Sequence, residues 1–461
     1  MTKKRVKAAV LAFAVVLAGC ASAPTNPAGG GSANGTAQAA ELSAAAKLAA
    51  DINAIEAGKA TVSGDAVTLT GGVGLETALT VPEGVTLAVS EGVTLDLTAE
   101  GAALTLGNGA TLTVNGTVNA RSHVWEGVAG ALLLDRATTI NGNGVINLKS
   151  KGELLYIGKN QKLTLDGVTL VGLEDNDDSL VMVIDGGALV LKSGVITGNT
   201  RIGEGWAAGG GVHVARNGIF TMEGGAVSGN TVEGGKWNYG GGVYVGGEGG
   251  ATFIMAGGAI SGNIVQGNRC NGGGVHVESG ATFTMSGGEI SGNNVISVND
   301  GGGGSGGGVN VSKAIFTMKG GTISGNRVTA PYSSGGGVYA GGSSDGSAPG
   351  TFIMEGGAIF GNATTSAINR AMSGGVDVRY GTFTMRGGRI QGDTDSDGFA
   401  KNVGSRENSA ALFVWDCAAK WGTGGTYTRG GVPQSGGSDI VPIDAETRGR
   451  TNDTLIAIPA Q

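Results

Sequence analysis

The sequence predicts an all-β chain wound into a long coil of short strands. Three observations carry this. Of 461 residues 93 are glycine, about one in five, against roughly 7% in an average globular protein. Apolar and polar residues alternate in short runs between glycine turns, which is the period of a strand with one buried face. From about residue 185 the chain repeats itself every 30 to 36 residues or so. With only 8 prolines and no strict G-X-Y period, the glycine is not collagenous. Hydrophobic residues make up 40%, enough for a core. A net charge of −7 lacks the basic face that a nucleic-acid binder needs, and three cysteines do not make a disulfide scaffold.

The elements follow in order. Lys3, Lys4, Arg5 and Lys7 form a basic start, and Ala8 to Ala18 is an apolar run too short to span a bilayer. It ends in Leu17-Ala18-Gly19-Cys20. This resembles a bacterial lipoprotein signal with its lipobox. The resemblance implies a diacylglyceryl group on Cys20, cleavage before it, and removal of residues 1–19. Ala21, where such lipoproteins carry Asp when retained at the inner membrane, implies sorting to an outer membrane. Two or three acyl chains hold a protein at a membrane far better than one, at roughly 0.8 kcal/mol per buried CH2. Residues 20–40 are small, polar and uncharged after the cysteine, the composition of a flexible tether. Over 41–58, Leu42, Leu48, Ile52 and Ile55 form one stripe with Gly58 as a C-cap, predicting an amphipathic helix that covers the first open coil edge.

The β region is expected over 59–416. Its repeat pairs GGGVHV (209–214) with IFTMEGGAVSGN (219–230), then GGGVYV (240–245) with TFIMAGGAISGN (252–263), and continues to SGGVDV (373–378) with TFTMRGGRIQGD (382–393). Phe220, Phe253, Phe283, Phe316, Phe352 and Phe383 recur at one position, methionines two later, and Val227 or isoleucines five beyond those. If each unit is one turn of a coil, these columns stack as interior ladders. Three strands per coil at this period resemble the right-handed parallel β-helix of the pectin-lyase-like fold. About twelve coils at about 4.8 Å each would give a rod on the order of 60 Å. Leucine-rich repeats would need LxxLxLxxN, calcium β-rolls GGxGxD, and propeller blades longer units; none is present. Asn199, Asn230, Asn263, Asn293, Asn326 and Asn362 end successive units and read as an asparagine ladder at a turn. Residues 417–461, with Thr454 to Ile458 as a last strand, read as a C-terminal cap. Cys270 and Cys417 lie about four coils apart, too far to bridge.

Candidate chemistry is sparse. The x position of GGGVxV holds His213, Tyr244, His276, Asn310, Tyr339 and Asp377, flanked by inward valines and so expected to face solvent. Variable loops beside it carry Trp206, Trp237, Tyr239, Arg269 and Tyr332. Together Trp206, His213, Trp237, Tyr239, Tyr244, His276 and Tyr339 form a candidate ligand-binding edge, since rings in a row stack on sugar faces or anchor proteins. His213 and His276, two coils apart, cannot share one metal ion. Asp393, Asp395 and Asp397 spell DxDxDG, which suits Ca2+ as the first half of an EF-hand loop, but the twelfth position is Gly404. No other cofactor is suggested. The acidic run Glu174 to Asp178 reads as a solvated loop.

Over most of its length the chain resembles bacterial β-helix repeat lipoproteins. The expectation is a non-catalytic, lipid-anchored cell-envelope protein that adheres, interacts or serves as a structural rod, with membrane, glycans or surface proteins as partners and no nucleic acid. The rival expectation is a polysaccharide lyase or hydrolase. An autotransporter passenger is disfavoured, because the C-terminus lacks the strands of a membrane barrel.

Overall fold

The computed structural model describes residues 41–123, 130–247, 249–297, 302–343, 348–368, 373–391 and 402–404. Beyond these it describes the backbone of 412–415, 418–421, 426–429, 432–435 and 456–458. The lipidation candidate Cys20, the signal and tether, Asp393, Asp395, Asp397 and Cys417 lie outside the described residues.

From Leu42 onward the chain is a right-handed parallel β-helix capped by a helix, as the repeat predicts. The helix spans Ala44–Ile55, with Ser43 capping Ala46 N at 3.1 Å. Its buried stripe is Ala45, Leu48, Ala49 and Ile52. Leu42 and Ile55, expected on that stripe, are exposed: Leu42 precedes the helix, and Ile55, in its last turn, points away from the stripe. Asn53 exchanges both amide bonds with Ala60 and fastens the helix to Ala60–Ser63. That strand pairs antiparallel with Ala66–Leu69, the first strand of the coil proper.

Each coil then contributes one strand to each of three stacked faces. The first face carries the phenylalanine column, paired residue for residue from Phe220 to Phe383. The rings stack at 4.8, 4.6, 4.6, 5.0 and 5.3 Å between centroids. Two residues on, the methionine column continues toward the N-terminus as Leu191, Leu165, Ile140, Leu112, Leu87 and Val67. The second face carries Val227, Ile260, Ile290, Ile323, Ile359 and Ile390 in register. The third carries the paired valines of GGGVxV. These columns form one buried apolar core along the axis.

At the turn after the second face, Asn230, Asn263, Asn293, Asn326 and Asn362 each donate from Nδ2 to the next amide oxygen at 2.9 to 3.2 Å, ending on Asn402. Asn176 donates to Asn199 Oδ1 at the other end. Each amide of the central ladder also bonds a backbone carbonyl one coil back, as Asn263 does to Val227 O at 3.0 Å. These buried side chains are therefore satisfied at both ends, which burial requires. The third glycine of each GGG makes the room: a Cβ at Gly242 would sit 2.9 Å from Asn263 Nδ2.

Coils after Asn199 depart from the three-strand plan. The segments read as variable loops hold one or two further strands per coil. A first outer sheet runs from Thr200–Ile202 through Thr231–Glu233, Ile264–Gly267, Asn294–Ser297 and Arg327–Thr329 to Ala363–Thr365 and Val403–Gly404. A second comprises Trp206–Ala208, Trp237–Tyr239, Arg269–Asn271, Gly303–Ser305 and Tyr332–Ser334. Between them lies a second small core of Ala207, Val232, Val265, Cys270, Val295, Val328 and Ala330. Cys270 is a free thiol there, pushed up to about 12 by burial, so it is inert.

Parallel stacking does not stop at 416: Ala418–Trp421 pairs with Thr382–Met385 on the first face. Ile456–Ile458, within the predicted last strand, closes antiparallel on Gly388–Ile390.

Candidate functional site

The outer strands change the fate of the x column. It was expected to face water; instead the second outer sheet folds back toward it. His276 and Tyr244 are 1% and 2% exposed, Asp377 is fully buried, and His213 and Asn310 are buried as well. Tyr339 is only partly covered. The alternation argument assumed one sheet with solvent behind it, and the second layer removes that solvent. The column also extends, through Met182 to Tyr156, into coils that carry only weaker copies of the repeat and no GGGVxV.

The predicted rings do come together. Trp206 lies edge-on to Tyr244 at 5.6 Å and tilted on His213 at 5.8 Å. His213 and Tyr244 are 4.6 Å apart, and Tyr239 stacks on His276 at 4.6 Å. Trp237 sits in register beside Trp206 on the rim, under Lys236 at 4.6 Å. Tyr339 stands apart, farther along the column.

Ionisable groups beneath the rings are tied to structural partners. Tyr244 Oη donates to Glu278 Oε1 at 2.5 Å, and His276 Nε2 lies 3.2 Å from Oε2. Burial opposes the Glu278 charge, yet the bond and charge of His276 and the Tyr244 hydroxyl hold its carboxyl down at about 2. Burial, aided by Arg201, lowers His213 to about 3, so it stays neutral. Arg201 bonds Ser179 and the Ala208 carbonyl, pairs with Asp178 at 3.1 Å and lies over Trp206. The acidic run is thus only partly a solvated loop: Asp175 is exposed and meets Lys151, whereas Asn176 is buried in the ladder.

Toward the C-terminus the groove between the third face and the second outer sheet opens. A cleft of about 290 Å³ is lined by Arg269, Asn271, Gly303, Gly304, Ser305, Tyr332, Ser334, Tyr339 and Arg379. Its floor is polar and ordered. Asn310 Nδ2 donates to Ser305 Oγ at 2.7 Å, and Ser305 Oγ donates to Asn271 at 2.7 Å. Arg379 holds Asp377 through Nε and Nη2 at 3.0 and 2.9 Å, and Nη2 reaches Ser334 Oγ at 2.7 Å. Burial pushes the Asp377 carboxyl up from its usual range, against the pull of Arg379. On the wall, Tyr332 is 44% exposed, and Trp206, far up the same rim, 43%. Sequence reasoning missed Gly303, Ser305, Ser334 and Arg379, although the GGGGS run at 301–305 interrupts the bulky rim residues.

Among the described residues no group of three or more His, Cys, Asp or Glu could hold a metal ion. No helix there is long and apolar enough to cross a membrane. Comparison of the chain with family models, with curated proteins and with solved structures gave no match.

Proposed function

We propose that the chain is a lipid-anchored cell-envelope β-helix, attached to an outer membrane through Cys20, that binds glycans without transforming them. The observation that carries glycan recognition is the open cleft, where the exposed Tyr332 ring stands beside the Ser305 and Ser334 hydroxyls and the Asn271 amide. Aromatic faces with a few fixed polar groups are what sugar rings need from a site. A non-catalytic role is supported by how the groove spends its ionisable groups. Glu278 is committed to Tyr244 and His276, and Asp377 to Arg379. The anchor is supported by the lipobox-like Leu17 to Cys20.

The test is a glycan array probed with the detergent-solubilised full chain. Binding is expected, weakened about five- to tenfold by Tyr332→Ala, which removes a ring contact. Binding untouched by that change would remove the cleft. Glycan cleavage, read as new reducing ends or unsaturated products, would replace the binding reading with the enzymatic one. Labelled fatty acid that still enters Cys20→Ser would remove the anchor.

A further inference from the structure

The rim of the second outer sheet is a register column of Trp206, Trp237, Arg269, Gly303 and Tyr332. Four of its five members are large. The glycine stands between Arg269 and Tyr332, so the rim has a notch about two coil spacings wide, roughly 9–10 Å.

Among the described residues neither backbone nor packing demands that glycine. Gly303 has no left-handed φ, and a Cβ on it would meet nothing nearer than Tyr332 O at 3.7 Å, an ordinary contact. Its neighbour Gly304 is the opposite case: a Cβ there would lie 2.9 Å from both Val295 and Val328 in the small core. The missing side chain at 303 therefore serves the space it leaves.

Along the groove that space is bordered on both sides by described residues. Upstream, the rings of Trp206, His213, Tyr244, Tyr239 and His276 fill it. Downstream, the Asp377–Arg379 pair and Ser334 bound it. The cleft, about 290 Å³, stands at the lower limit of small-molecule pockets, roughly 300–1,000 Å³. It has room for about one sugar ring. Among the described residues its lining carries two guanidiniums, that of Arg379 already paired with Asp377, and no carboxylate, and Arg269 stands exposed at its mouth.

We infer that the Gly303 notch is a pocket for a single carboxylate-bearing sugar ring, such as the terminal residue of an acidic glycan. The ring lies against Tyr332, its hydroxyls meet Ser305 and Asn271, and its carboxylate meets Arg269. Guanidinium suits a planar carboxylate better than any other side chain does. This inference rests on the glycan-binding reading and narrows it to one ligand class and one place.

The experiment is saturation-transfer NMR on the detergent-solubilised full chain. The probes are the methyl glycosides of glucuronic acid, galacturonic acid and N-acetylneuraminic acid, against methyl glucoside and methyl galactoside, with acetate as competitor. At least one acidic glycoside is expected to bind about tenfold more tightly than the neutral ones, a charge-assisted bond being the difference. Gly303→Trp, which extends the rim of Trp206 and Trp237 across the gap, is expected to abolish binding with an unchanged melting temperature. Arg269→Gln is expected to erase the preference for acid while leaving weak binding of the ring. Acidic binding that survives a folded Gly303→Trp would overturn the pocket. Should Gly303→Trp not fold, acid preference intact in Arg269→Gln overturns it instead. Equal binding of acidic and neutral glycosides, or full displacement by acetate, overturns the ligand class while the broader glycan reading stands. Silence across both the probes and the glycan array removes both.

Discussion

The coils before Asn199 and those after it solve the same packing problem with different amounts of chain. Before it, three strands and tight turns suffice, and the column continued by the methionines is leucine, isoleucine and valine. After it, coils add an outer strand, five of them a second one, and stack phenylalanine inside. The extra chain contributes little to the main core. It makes a second thin core of mostly valine and alanine, and it buries a polar and aromatic column that would otherwise be wet. Structural economy thus ends where the groove begins, and the groove is what the added strands produce.

The largest effect is expected in the core that both halves share. Phe283→Ala leaves a cavity between two stacked neighbours and is expected to cost about 3–5 kcal/mol, read as a fall in the urea midpoint. Because each coil contacts only its neighbours, exchange protection should fall most in the adjacent coils and least near Leu87. Loss spread evenly over both halves would mean that the two are one cooperative unit.

A smaller effect is expected from the asparagine column, which belongs to the five-strand half. Asn293→Leu breaks the ladder between Asn263 and Asn326. It leaves buried amide groups short of a partner, an expected cost of about 1–3 kcal/mol, again measured by the urea midpoint. A neutral result would show that water or backbone takes over those bonds.

Acid acts on the two halves unequally. His213, lowered to about 3 in the fold, binds fewer protons than when unfolded, so stability falls as pH drops below about 6.5. Glu278, held at about 2, adds a second loss as pH falls from about 4.5 toward 2. Both groups lie in the five-strand half, so melting should become acid-sensitive there. His213→Tyr, which imitates the next position of its column, Tyr244, should flatten the curve between pH 6.5 and 4.5. An unchanged curve would clear His213 of the effect.

The legible part of the molecule is the part with several recurring apolar residues per strand. The phenylalanine, methionine and isoleucine ladders and the asparagine turn were all readable from spacing. The outer strands were not, because they are two to four residues long and bury no more than one or two side chains each, too little for alternation to show. A signal was nonetheless present. The residue two past each ladder asparagine is Val232, Val265, Val295 or Val328, with Arg201 and Thr364 at the ends, and that column is the second core. The burial of His213, Tyr244 and His276 follows from those strands and was unreadable without them. Gly303 escaped notice because one glycine among 93 carries no contrast until its neighbours in register are known.

The matched columns have an evolutionary consequence. A coil lifted out whole leaves phenylalanine facing phenylalanine and amide facing amide across the seam, so gene segments encoding single turns can be lost or duplicated without a folding penalty at the join. The turns bearing Arg269, Gly303 and Tyr332 are the exception, because the proposed pocket needs all three in that order. Losing any one of them would leave a shorter spiral without the pocket.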